Sequence, residues 1–446
     1  MNARLKERSA LFALALPMIL SNITVPLLGL VDTGVIGHLG EPYYLGATAV
    51  GSMIITFVTW FCGFLRMSTT GLAAQAFGSQ DQQQVLLVLS RGLLVAFAIG
   101  ISFVLLQSLY VDSALYLSGG SEKVLEYAKQ YCEIRIWGLP AALANLVLLG
   151  WLLGMHKAKY AMWLLIITNS VNLSLDLLFV LVFEWGVAGV AWATLIAEYS
   201  CLFIGLAMAA RTLQTSKSAL LKPLFAAPKQ FFARESFFPF LALNRDIVIR
   251  TLCLEICFVF ITFMGARLGD TVVAANAILL NFLLLISFGL DGIAYGAEAR
   301  VGRAKGAKDS VAMQLSVSVA NRFNIILAIG YSLLFLLFGQ YFIQMLTNID
   351  AIVAYATEFL PWIIALPVIA CWCYLYDGVY IGLTQAATMR NSMVISTFLV
   401  FFPTWFLLKD FGNHGLWAAF CFFMAARGIT LYWHYKRNYA NANWTD

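Results

Sequence analysis

The chain predicts an all-α membrane protein, with twelve transmembrane helices in two pseudo-symmetric six-helix lobes around a central cleft. Three observations carry that expectation. Of its 446 residues, 61% are hydrophobic and only 11% charged, whereas a soluble domain carries about 25% charged residues; so few charges cannot cover a water-facing surface. Apolar stretches of about 20 residues or more, each enough to cross roughly 30 Å of hydrocarbon as a helix, recur along the chain. The second half also repeats the first.

The apolar segments fall at 9–36, 46–73, 84–109, 125–153, 158–182, 187–210, 237–266, 272–297, 311–338, 355–382, 390–408 and 414–434. The stretches at 125–153 and 355–382 include amphipathic lead-ins. Helix is the default form, because in lipid every backbone donor and acceptor must be satisfied within the segment. The alternation of a membrane β-strand is not seen. Arg4, Lys6 and Arg8 precede segment one as they would a secretory signal, but no small-residue cleavage site follows a short apolar core, so the segment is read as retained.

Lys and Arg orient the chain. With the N-terminus inside, the inner loops hold Arg4, Lys6, Arg8, Lys157, Lys159, a basic run from Arg211 to Arg234, a cluster from Arg300 to Lys308, Arg390, Lys436 and Arg437. The outer loops hold only Lys123, Lys129, Arg267 and Lys409. This bias places both termini in the cytoplasm. It also explains the net charge of +5 without a nucleic-acid partner.

The repeat rests on several anchors. "AQAFGSQD" at 74–81 realigns on "GRAKGAKD" at 302–309, and "HLGE" at 38–41 realigns at nearly the same offset on "RLGD" at 267–270. Gly150 and Gly154 meet Gly378 and Gly382. The shift equals six helices, so the halves are parallel repeats, an organisation found in transporters that work by alternating access. The expected division is 1–210 as the N-lobe, 211–235 as a cytoplasmic linker lying on the inner membrane surface, and 236–446 as the C-lobe.

One residue in segment one demands a reason. Asp32, in "PLLGLVDTGVIGHLG", puts a carboxylate where insertion costs several kcal/mol. At about 1.5 Å per residue, Asp176 and Thr194 lie at a similar depth and Asn172 one turn deeper. Asn169, Asn172 and Asp176 form one polar stripe, and Asn145 on helix 4 reaches the same region. Such an oxygen-rich pocket suits a shared proton on one of two carboxylates, a hard cation such as Na⁺ held by Asp32, Asn172, Asp176 and Thr194, or a network that only ties helices together. Pro17 and Pro26 each remove a backbone donor upstream of Asp32, which makes helix 1 a candidate hinge. Arg66 and Glu198, the other intramembrane charges of this lobe, lie several residues apart in depth, and pairing would need Arg66 to snorkel.

In the C-lobe, Arg245, Arg250, Glu255, Asp291, Glu298 and Asp377 suggest an ion-pair cluster toward the inner side. No catalytic function is expected: there is no metal motif, nucleophile elbow or phosphate loop, and the four histidines form no cluster. The eight cysteines sit almost entirely within apolar segments, as small buried residues do.

"VDTGVIGHLG", "GFLRMSTTGLAAQAFGSQD", "LNRDIVIRTL" and "LDGIAYGAEARVG" together resemble the multidrug and toxic compound extrusion (MATE) family, in its DinF-like branch. The resemblance covers nearly the whole chain. It implies a secondary active antiporter of a bacterial-type inner membrane, monomeric, with no cofactor. Such a protein exports amphiphilic, often cationic organic compounds in exchange for H⁺. It further implies that Asp32 is the coupling acid, that Asn172, Asp176 and Thr194 are its partners, and that helix 1 bends at Pro17 and Pro26. Na⁺ coupling through the same pocket is one alternative; relatives in the NorM-like branch use carboxylates on helices 7 and 10, where Glu255 and Asp377 lie. A lipid-intermediate flippase of the wider superfamily is another, though such flippases carry a more cationic cleft.

Overall fold

A computed structural model of the protein describes residues 3–37, 42–118, 121–214 and 228–439 and, within these, all side chains except those of residues 3, 23–37, 42, 45, 229, 230 and 234–236. Every regular element described is helical.

Helix α1 spans Ala3–Gly37. Helices α2 (Pro42–Phe61) and α3 (Phe64–Gly78) share the second apolar segment, with a break at Cys62 and Gly63. Next come α4 (Gln82–Leu105), α5 (Gln107–Ser118), α6 (Glu122–Arg135) and α7 (Leu139–Gly154). A single 3₁₀ turn joins α6 to α7, and Pro140 fits there because the first turn of a helix needs no donor at that position. Helix α8 (Ala158–Asp176) widens into a π-helical turn over Leu177–Val182 before α9 (Gly186–Thr212).

The second half opens with a short α10 (Pro228–Phe231), followed by α11 (Arg234–Leu268), α12 (Asp270–Gly306), α13 (Ser310–Leu346) and α14 (Asp350–Gly382). Then α15 (Ala386–Val394) passes through a π-helical stretch, Ile395–Phe401, into α16 (Phe402–Leu408), and α17 (Asn413–Asn438) ends the described chain. Pro403 lies just past the π stretch, where its missing N–H favours a widened turn.

Eleven stretches among the described residues are helical, long and apolar enough to cross a membrane, and they coincide with the second to twelfth predicted segments. Helix α1, of 35 residues, covers the first. Large apolar side chains point outward, as a lipid-facing surface requires: Met53, Phe57 and Trp60 on α2, and Leu333, Leu336 and Leu337 on α13. The amphipathic surface course expected for 211–235 falls largely at 215–227, outside the described residues.

Backbone contacts divide the chain into two compact units, Leu20–Phe240 and Met1–Ile19 with Leu241–Asp446. The expected lobes, 1–210 and 236–446, put all of helix 1 in the first; in the structure Met1–Ile19 group with the second half.

Inside each unit, considered separately, the repeat is geometric as well as sequential. Asp81 and Asp309 each cap the following helix, accepting the Gln84 and Ala312 amides at 2.9 Å. Gln80 and Lys308, at equivalent places in the two repeats, both take positive φ, of 59° and 55°; so do His156 and Thr384, at 59° and 53°. A Cβ at Gly154 would stand 2.6 Å from the Thr70 carbonyl oxygen, and one at Gly382 would stand 2.5 Å from the Glu298 carbonyl. Only glycine lets the backbones approach this closely. The core of the 20–240 unit holds Trp151, fully buried, its indole donating to the Val85 carbonyl at 3.0 Å. That of the other holds Phe282 against Phe335, with ring centroids 5.2 Å apart.

Candidate functional site

Of the polar stripe on α8, Asn172 and Asp176 are buried, while Asn169 is half-buried. Asp176 is wholly buried and Asn172, one turn earlier, is 2% exposed. An isolated stripe like this would be costly inside an apolar helix, and α9 answers it. Thr194 Oγ1 receives Asn172 Nδ2 at 3.2 Å and itself donates to the Val190 carbonyl at 3.0 Å. Asn172 Oδ1 is buried without a hydrogen-bond partner among the described residues. That amide oxygen is placed to accept a proton donor or to ligate a cation. Asp176 is the last α-helical residue before the π turn, a distortion that recurs at functional sites.

Asn145, buried on α7, also meets α9, but through the backbone: its Nδ2 donates to the Glu198 carbonyl at 2.9 Å. Glu198 lies one turn along α9 from Thr194. Its carboxylate is gripped by Arg135 in a two-pronged pair, with both bonds at 2.8 Å, the geometry in which arginine binds a carboxylate best. A Cβ at Gly138 would come 2.8 Å from Arg135 Nη1, so this glycine leaves room for the pair. The Arg66–Glu198 pairing considered from depth is therefore replaced by Arg135–Glu198, for which the amphipathic stretch "YCEIRIWGLP" holds no distinguishing signal.

Asp32 and Pro26 belong to α1, which stays helical through both. Their side chains lie outside the described residues. Pro17 is buried.

In the other unit the expected charge cluster splits. Asp377 Oδ2 accepts from Arg250 and, at 2.7 Å, from Arg427 Nη2. All three residues are buried. Arg427 also lies over the Phe423 ring, 5.4 Å from its centroid, and its Nη1 sits 3.2 Å from Met424 Sδ. Arg427 is absent from the sequence-derived set, although an arginine in the middle of the last apolar segment is itself a signal. Arg245 does not join Asp377: its side chain is 65% exposed and leans on Asp246, which also binds Arg390 at 2.7 Å. Glu298 is fully buried on α12, with Asp291 two turns before it, and Glu255 is half-buried on α11. Among the described residues, no group of three or more His, Cys, Asp or Glu could hold a metal ion.

A further buried acid, Glu7, carries no mark in the sequence. It is 5% exposed, pairs with Arg300 through both its oxygens, and accepts the Ser316 hydroxyl at 2.6 Å.

A helical chain with buried, partnered ionisable groups in apolar segments and a repeated frame has counterparts among known proteins. DNA damage-inducible protein F of Escherichia coli (strain K12) is 45% identical over 435 residues, covering 98% of this chain and 93% of the relative. A probable multidrug resistance protein NorM of Caulobacter vibrioides is 28% identical over 400 residues, covering 87% and 80%. The solved structure of a MOP superfamily transporter from Pyrococcus furiosus shares the fold with a TM-score of 0.83 at 17% identity, covering 97% of this chain and 96% of that one. The MatE family model matches residues 17–178 and 247–406, one match in each repeat. The chain belongs to the MatE family of membrane transporters.

Proposed function

We propose that the protein is a proton-driven exporter of amphiphilic, often cationic organic compounds, with both termini in the cytoplasm. Asp32 and Asp176 are its coupling carboxylates. The observation that carries this reading is Asp176: a fully buried acid on a lipid-spanning helix, one turn from the Asn172–Thr194 bond and at the mouth of a π turn. A carboxylate there is retained because its charge state matters.

Protonation from the outer side removes one of two like charges at the depth shared by Asp32 and Asp176. Asn172 Oδ1 then accepts from the neutral acid, and helix 1 relaxes about Pro17 and Pro26. The altered pocket favours substrate release outward, and return to the inward state delivers the proton to the cytoplasm. A differential protonation energy of a few kcal/mol shifts such an equilibrium decisively. The name of the Caulobacter relative supports drug export as the activity.

A second reading, Na⁺ held by Asp32, Asn172, Asp176 and Thr194, is favoured by the partnerless Asn172 oxygen. Transport in proteoliposomes with proton and sodium gradients imposed separately distinguishes the two. For the proton reading, a pH gradient alone drives efflux and Asp32→Asn abolishes it while the protein folds and inserts. Efflux driven by sodium with the pH gradient collapsed selects the alternative, and full activity of Asp32→Asn refutes both.

A further inference from the structure

The first helix of each repeat is shared between the two units. Met1–Ile19, which includes the start of α1, groups with Leu241–Asp446, while the chain from Leu20 belongs to the other unit; α11, the first helix of the second repeat, changes unit between Phe240 and Leu241. At both ends an arginine takes hold, partly buried in one case and buried in the other. Glu7 is bound by Arg300 and Ser316, Arg8 stands 5.2 Å from the Phe323 ring centroid, and Phe12 packs edge-on to that ring with centroids 4.4 Å apart. Ile19 lies so close to α12 that a Cβ at Gly292 would collide with it, and a Cβ at Gly296 would stand in tight contact, 3.0 Å from Leu11. In the other unit Arg91, 2% exposed, donates from Nε to the Phe231 carbonyl at 2.9 Å and stands 5.7 Å from the centroid of the Phe231 ring, just ahead of α11.

We infer that Glu7, Arg300 and Ser316, with Arg91 and Phe231 as the counterpart, are clasps that open and close in the transport cycle. They are positioning residues that hold the N-terminal ends of the two first helices in one state and release them in the other. Three features support this role. Glu7 is 5% exposed, and both of its oxygens are engaged by a partly buried Arg300, with one also held by the Ser316 hydroxyl. Buried pairs of this kind add little net stability over an apolar substitute, and setting register or switching between states is their best-attested use. The unit boundary at 19/20 falls between Pro17 and Pro26, so the helix is softened on either side of the point where its allegiance changes. The clasp thus fixes one half of α1 while the half carrying Asp32 is left to follow the other unit.

The test uses the full-length protein with its eight buried native cysteines replaced. Phe12→Cys with Phe323→Cys, bridged by a short reducible bis-thiosulfonate, ties α1 to α13 without touching Glu7. The linked protein is expected to transport at less than about one-tenth of the unlinked rate and to recover on reduction, since a cycle that needs both states stops when one is forbidden. In a second measurement, Ala15→Cys, at a position 2% exposed, is alkylated by a water-soluble maleimide. Glu7→Gln is expected to speed that reaction about tenfold by loosening the clasp. Undiminished transport by the linked protein, or an alkylation rate unmoved by Glu7→Gln, overturns the proposal. Neither readout depends on which ion drives transport, so the coupling role of Asp32 can fail while the clasps stand, and the reverse.

Discussion

Two buried aspartates, one in each unit and at non-equivalent places in the repeats, meet different surroundings. Asp377 has its charge met by two guanidinium groups, Arg250 and Arg427. Asp176 stands one turn from an amide and hydroxyl pair, Asn172 and Thr194. The surrounding frame is the same to a fine level: the capping aspartates, the left-handed residues and the glycine crossings all recur at equivalent places in the two repeats. A carboxylate with two cationic partners is a strut. In the proposed function, Asp176 is the acid that exchanges a proton with the solution.

The comparison can be broken first at the strut. Arg427→Met strips Asp377 of one partner inside a buried site, and loss of about 3–5 kcal/mol is expected, read as a clear drop in apparent melting temperature in detergent. Arg135→Met should cost a similar amount, about 3–5 kcal/mol, because Glu198 then loses its only ion-pair partner among the described residues. A melting temperature unmoved by either change would mean that these pairs are not structural. The frame gives the next effect. Gly154→Ala and Gly382→Ala each force a methyl against a backbone carbonyl, and each is expected to destabilise by about 1–3 kcal/mol. Equal losses at the two sites support a shared frame, and a large loss at one alone would show that the crossings differ. The smallest effect is at the caps: Asp81→Ala and Asp309→Ala are expected to cost about 1 kcal/mol each, with matching shifts in the melting curve.

Much of this molecule is legible from the order of its residues, for identifiable reasons. Segment positions follow from hydropathy, since a helix that crosses lipid must stay apolar over about 20 residues. The repeat follows from "FGSQD" and "KGAKD", because a tight turn and a capping aspartate both leave marks in sequence. The Asn172–Thr194 contact is foreseeable from depth alone, because helices that cross a bilayer carry a ruler of about 1.5 Å per residue. Depth has no angular component, however. It does not show that Arg245 faces out while Arg250 faces in, or that Arg135 rather than Arg66 reaches Glu198. Glu7 is hidden for another reason: it sits in a polar run that looks solvated, and only the packing of α1 against Arg300 and Ser316 reveals its burial. The placement of 1–19 with the second half is likewise a long-range event that no local pattern records.

The division of labour between the two acids is most directly tested by efflux under an imposed pH gradient, measured for Asp176→Asn and Asp377→Asn in parallel and corrected for folded protein. The expected result is that Asp176→Asn binds substrate but no longer responds to the gradient, while Asp377→Asn is less stable and yet responds in its folded fraction. A gradient response that survives in Asp176→Asn and vanishes in Asp377→Asn would place coupling in the other unit and contradict the assignment.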